Sequence, residues 1–184
     1  MLPGVTCTRL GADRCPGLLK PFVAQDGAII RLRVPGGRVR VSTLADLLAI
    51  GADHGAPLLS VTSRTNLQVR GLPDPLPEDV MVRAEATGLL PSPSHERARN
   101  ILAAPLAPDL QPLVAELDAA LCADPFLADL PGRFLFAVTD ATGAVLTEPV
   151  DAAYQALTPT SGVIRLAGLG MPCARDDAVA HLLE

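Results

Sequence analysis

Apolar residues recur at every second position in two stretches of the chain, and at every third or fourth position in the segment between them. In GAIIRLRVPGG (residues 27–37), Ala28, Ile30, Leu32 and Val34 fall on one face of an extended chain. Ile29, Arg31 and Arg33 fall on the other, and a Pro-Gly-Gly turn follows. VSTLADLLAIGADHG (41–55) has helical spacing, with Leu44, Leu47, Leu48 and Ala52 as its apolar stripe, Ser42 or Thr43 as N-cap and Gly55 as terminator. PLLSVTSRTNLQVRGL (57–72) predicts one long strand. Val61, Ser63, Thr65, Leu67 and Val69 point one way along it; Thr62, Arg64, Asn66, Gln68 and Arg70 point the other. The three segments make a β-α-β unit whose two strands both carry arginines.

Pro73, Pro75 and Pro77 then interrupt the pattern, which predicts a boundary between a first domain, 1–75, and a second, 76–184. Beyond it, EDVMVRAEATGLL (78–90) reads as a helix closed by Gly88. PSPSHERARNILAAPLAP (91–108) reads as a turn, a short helical stretch and a proline-rich stop. LQPLVAELDAALCAD (110–124) is an amphipathic helix with a stripe of Leu113, Val114, Leu117, Ala120 and Leu121. RFLFAVTDATGAVL (133–146) predicts a hairpin around Ala141–Gly143, GVIRLAGLG (162–170) a strand, and ARDDAVAHLLE a helix.

Composition narrows the function classes. Hydrophobic residues make up 49% of the 184 and charged residues 19%, which excludes general disorder. No apolar run approaches a membrane span of ~18–20 residues, and MLPGVTCTRLGADRCPG has no basic start followed by an apolar core, so the expectation is a cytoplasmic protein. Residues 27–72 hold six arginines against Asp46 and Asp53, whereas 73–184 hold six arginines against sixteen acids. A local basic surface on a chain of net charge −5 points to an anionic small molecule as partner rather than to nucleic acid. With four Phe, one Tyr and no Trp, little is available to stack on bases.

Three basic groups stand out: Arg31 with Arg33, the row Arg64, Asn66, Gln68 and Arg70, and HERARN (95–100). They fit a wet strand face whose arginine stems cover a neighbour, and they fit equally a set of guanidinium forks for carboxylates. His95–Glu96 lacks a second histidine at helical spacing, and PGG (35–37) belongs to no phosphate loop, so no catalytic residue and no metal ligand is assigned. The four cysteines, Cys7, Cys15, Cys122 and Cys173, form no CxxC pair.

IIRLRVPGG, TSRTNLQVRGL and HERARNILAAPLA, in this order, resemble the nitrite/sulfite reductase family, and the resemblance extends over nearly all of 9–184. Within it, GLLPSPSHERARNILAAPLA and LPGRFLFAVTD are similar to the precorrin-3B synthases of aerobic cobalamin synthesis. The resemblance implies a ferredoxin-like half-domain (1–75) followed by an incomplete sulfite-reductase-type α+β domain (76–184). It implies a carboxylated tetrapyrrole, a precorrin or a sirohaem-like ring, held by Arg31, Arg64, Asn66, Gln68, Arg99, Asn100 and Arg133. Where sulfite reductases carry K-x-K, this chain has Arg133-Phe134-Leu135, which argues against reduction of a small inorganic anion.

The family also implies a [4Fe–4S] cluster on cysteines spaced C-x5-C and C-x3-C, a spacing absent from this chain. The expectation is therefore an oxidoreductase of the precorrin-3B synthase kind, or its macrocycle-binding half, inactive alone and completed by a second half or subunit that carries the cluster. The alternatives are a non-catalytic tetrapyrrole-binding or partner module and a fragment of a sirohaem sulfite or nitrite reductase.

Overall fold

The computed structural model describes residues 15–184. Cys7 and the rest of the N-terminal stretch on which the cytoplasmic expectation rests lie largely outside them. The architecture is mixed α+β, built on two sheets. The first sheet has the order β1 (Phe22–Ala24), β2 (Gly27–Leu32), β4 (Leu67–Leu72), β3 (Leu59–Val61), with every pair antiparallel. Helices α1 (Val41–Asp53) and α2 (Glu78–Ala86) cover one face. Their core joins Ile30, Leu32, Leu67 and Val69 from the strands with Leu47 and Ile50 of α1 and Val80 and Ala84 of α2. These are the alternate positions that strand geometry sends to one side.

The second sheet begins with three parallel strands, β5 (Ile101–Ala103), β6 (Phe136–Thr139) and β7 (Ala152–Ala156). The antiparallel hairpin of β8 (Ser161–Leu166) and β9 (Leu169–Ala174) completes it. Helices α3 (Gln111–Ala123) and α4 (Ala178–Leu183) pack on it, and α3 buries Leu113, Val114, Leu117 and Leu121 as its periodicity predicts. Among the described residues no helix is long and apolar enough to cross a membrane.

Three expectations are corrected. The single strand over 57–72 is a hairpin: Thr62 N–H donates to Asn66 O, Thr65 N–H donates to Thr62 O, and Thr65 takes a φ of 56° at the tip. Solvated turn residues happened to continue the polar alternation of the strands on either side. The hairpin expected over 133–146 is instead a crossover. After the Asp140–Gly143 turn the chain runs through a single 3₁₀ stretch, Ala144–Thr147, and returns parallel as β7. All five residues of β7 are buried, so the strand has no polar alternation to reveal it.

The strand expected at 162–170 is likewise two strands, which turn at Ala167 (φ 49°) and Gly168. The prolines at 73–77 separate β4 from α2. Beyond them α2 returns to the first sheet, and Leu89 and Leu90 still pack on its core. The stripe of α1 also rotates slightly, burying Thr43, Leu47, Ile50 and Gly51 while Leu48 stays exposed. Gly51 is required there, because a Cβ would lie 2.2 Å from the Ala56 carbonyl oxygen.

Candidate functional site

The two units meet along the end of β2, the tip of the β3–β4 hairpin, the HERARN turn and the turn before β6. The Pro35–Gly37 turn helps to seat them. Gly37, at a φ of 69°, would place a Cβ 3.1 Å from that of Thr65, so the turn abuts the hairpin tip closely. The nominated residues converge on this seam, but they do not all face outward.

Arg31 and Gln68 are cross-strand partners in the β2–β4 ladder, and Arg31 Nη2 donates to Gln68 Oε1 at 3.0 Å. Arg31 Nε is buried and has no hydrogen-bond acceptor among the described residues. Burial is the main reason the Arg31 pKa falls below the ordinary arginine range; the Cys15 sulfur opposes the fall and the Arg64 charge adds to it. Arg64 stands at the hairpin tip rather than on a strand face, and its Nη1 donates to the backbone carbonyl of Arg133. The Arg133 side chain is exposed on the turn before β6. Arg31, Arg64 and Arg133, with Gln68 beside them, are thus the nominated residues that keep polar hydrogen-bonding capacity at the seam.

Asn66 and Asn100 are brought to the same seam, facing inward. Asn100 Oδ1 accepts from Arg33 Nε (3.1 Å) and Asn66 Nδ2 (3.0 Å), and its Nδ2 donates to the carbonyls of Arg97 (2.9 Å) and Gly132 (3.2 Å). Asn66 Oδ1 accepts from Val34 N–H. These amides cross-link segments of chain.

Arg99, also expected at the ring, is paired within the protein. It is 4% exposed, and Nε and Nη2 make a two-pronged pair with the Asp118 carboxylate of α3 at 2.8 and 2.7 Å. Its Nη1 donates to the Leu89 carbonyl. A guanidinium so placed is neutralised, and three of its N–H groups tie α3 to the end of the first unit.

His95 and Glu96 of HERARN also bond within the protein. His95 Nε2 meets the Asp124 carbonyl at 2.9 Å, and the Glu96 carboxylate accepts the N–H groups of Leu18 and Leu19. Arg33, which the sequence reading saw on β2 but did not nominate, is fully buried and also donates Nη1 to the Pro16 carbonyl at 2.7 Å. The signal for it was an arginine flanked by Leu32, Val34 and Pro35, an apolar setting that makes a charged side chain seek partners inside.

The cubane cluster that the family resemblance implies does not fit the described cysteines. Cys173 donates to the neighbouring carbonyl of Ala174, and burial pushes its thiol up. Cys122 lies near Arg99 and Asp118, where burial likewise raises its pKa. Among the described residues no three metal-ligating side chains gather. Two surface clefts lie elsewhere. One is between α1 and α2 at Asp46, Ile50 and Arg83; the other is beside Asp26, Ser60 and Arg70.

Residues 23–85 match the model of the nitrite/sulfite reductase ferredoxin-like half domain. No curated protein matches the chain. Among solved structures, the NirA protein of Mycobacterium tuberculosis superposes with a TM-score of 0.66 at 18% sequence identity, over 87% of this chain and 35% of that one. The likeness shows a shared fold, and the chain spans about a third of the NirA chain's length. Residues 23–85 are thus similar to the ferredoxin-like half domain of nitrite and sulfite reductases, and the chain that carries them shares the α+β fold of NirA.

Proposed function

We propose that this chain binds the acidic rim of a carboxylated tetrapyrrole, as the macrocycle-binding part of a precorrin-3B synthase-like oxidoreductase. Arg31, Arg64 and Arg133 supply the cations and Gln68 aligns Arg31. The observation that carries the reading is Arg31 itself. It is a half-buried guanidinium held in place by Gln68, with a buried Nε that no group among the described residues satisfies and a second arginine close enough to repel it. Such a donor is costly alone and well matched to a carboxylate. In the protein's own chemistry the ring would be the molecule oxidised, or would bring the metal that exchanges electrons. The residues here bind and orient it. An iron–sulfur centre, if the complete enzyme uses one, would come from a second half or subunit.

A second reading, part of a sirohaem sulfite or nitrite reductase, is favoured by the half-domain match. It is weakened by Leu135, which is buried where that family's second lysine is expected. Fluorescence titration of the full chain with uroporphyrin, which carries eight carboxylates, tests the proposal. Binding should weaken about tenfold in Arg31→Leu and again in Arg64→Leu, as expected for the loss of one charge-assisted contact each. Equal affinity in the wild type and the double variant would overturn it. Sulfite-dependent changes in the spectrum of a sirohaem-loaded chain would favour the second reading.

A further inference from the structure

A primary amide has two donors and two acceptor positions, and Asn100 uses all four inside the protein. It is 1% exposed. Its partners sit on four separate segments: Arg33 just past β2, Asn66 on the hairpin, Arg97 on the HERARN turn and Gly132 on the turn before β6. Three of those segments carry an arginine of the proposed ring surface a short step away. Arg31 is two residues from Arg33, Arg64 two from Asn66, and Arg133 adjoins Gly132. A second link closes the loop on the outside, where Arg64 donates to the Arg133 carbonyl. The hairpin tip and the 131–133 turn are therefore joined twice, inside through Asn100 and outside through Arg64.

We infer that Asn100 is a positioning residue: it locks the three arginine-bearing segments into one register and so sets the spacing of the cations that meet the carboxylates. Its consequence for binding rests on the ring-binding reading above; its consequence for the seam does not. Asparagine is required by this arrangement. Aspartate can accept from Arg33 and Asn66 but cannot donate to Arg97 and Gly132, and leucine loses all four bonds.

The test is Asn100→Asp in the full chain, with two readouts. Without ligand, amide hydrogen exchange should rise together over 63–66 and 131–134, the segments it joins, while α3 keeps its protection. With uroporphyrin as probe, the affinity should fall about tenfold in the wild-type background but less than about twofold in an Arg64→Ala background, since both changes disable one device. A merely structural loss would multiply with Arg64→Ala, and that result would overturn the inference. Exchange rising only over 97–103 would overturn it as well.

Should Asn100→Asp fail to fold, Asn66→Ser removes the inner link from the hairpin side and should give the same paired exchange signature and the same non-additivity. If the wild type does not bind uroporphyrin, the ring-binding reading falls. The exchange pattern alone then decides whether Asn100 sets the register of the seam.

Discussion

Replacing Arg99 separates a ligand-binding arginine from a structural one. Arg99→Met keeps the stem and removes three donated bonds, two to Asp118 and one to the Leu89 carbonyl. The Asp118 carboxylate, 19% exposed, is left facing apolar surroundings without a partner. Breaking a buried pair from one side costs roughly 3–5 kcal/mol. The partial exposure of Asp118 lets water compensate some of it, so about 3 kcal/mol is expected. For a chain of this size that is about 6–12 °C in melting temperature, and it should be seen by both calorimetry and urea unfolding. Adding Asp118→Leu removes the stranded charge and should restore most of the loss, short of about 1 kcal/mol for the orphaned Leu89 carbonyl. Uroporphyrin affinity, measured where each variant is fully folded, should not change. The reasoning is refuted if Arg99→Met melts like the wild type yet loses affinity, because Arg99 would then belong to the ring surface.

Other consequences can be checked in the same way. Glu96→Gln replaces a carboxylate oxygen that accepts two N–H groups; the variant should lose about 1–2 kcal/mol by chemical denaturation, with protection lost first at 17–19. An unchanged midpoint would refute the role. Gly51→Ala drives a methyl into the Ala56 carbonyl and should cost about 2 kcal/mol or more, whereas Gly88→Ala, at a φ of 74° in open space, should cost only the strain of its backbone, about 1 kcal/mol. Two carboxylates have pKa values below the usual 3.8: Asp79 through its hydrogen bond from His54, and Asp26 through that from Arg70. Depressed carboxylates contribute stability above the unfolded pKa and lose it as pH falls through the folded one. The acid limb of a melting-temperature profile should therefore steepen below about pH 4. It should flatten in Asp26→Asn and Asp79→Asn, and limbs as steep as the wild type's would contradict the assignment.

Local periodicity was a sound guide where one face of an element meets water. Helix α3 and its stripe were legible because Glu116 and Asp118 mark the polar side against Leu113, Leu117 and Leu121. β7 was not legible, because Ala152–Ala156 is buried throughout and offers no contrast. The hairpin at 62–65 was hidden by a coincidence of polar residues, with no glycine or proline to announce the turn. The α+β class and the half-domain at the N-terminal end were legible from motifs. What no pattern could show was which way each motif arginine turns, since that depends on acceptors contributed from far along the chain. Arg99 meets Asp118 and Arg33 meets Asn100, nineteen and sixty-seven residues away respectively.

The division of the arginines follows from how many acceptors the fold offers each of them. Arg99 has a carboxylate and a carbonyl, and Arg33 has an amide and a carbonyl. Among the described residues Arg31 is offered one amide oxygen, and its Nε is stranded in a half-buried setting beside Arg64. An arrangement that only stabilised the fold would place an apolar side chain at that position. The protein should therefore be more stable without this charge: Arg31→Leu should raise the melting temperature of the ligand-free chain, by an amount that reflects roughly 1 kcal/mol of relieved desolvation and repulsion. The same variant should lose uroporphyrin affinity. Opposite signs in the two measurements are the mark of a site held ready for an anion. If Arg31→Leu destabilises the ligand-free chain instead, the guanidinium is already satisfied within the protein and the argument for an anion at Arg31 fails.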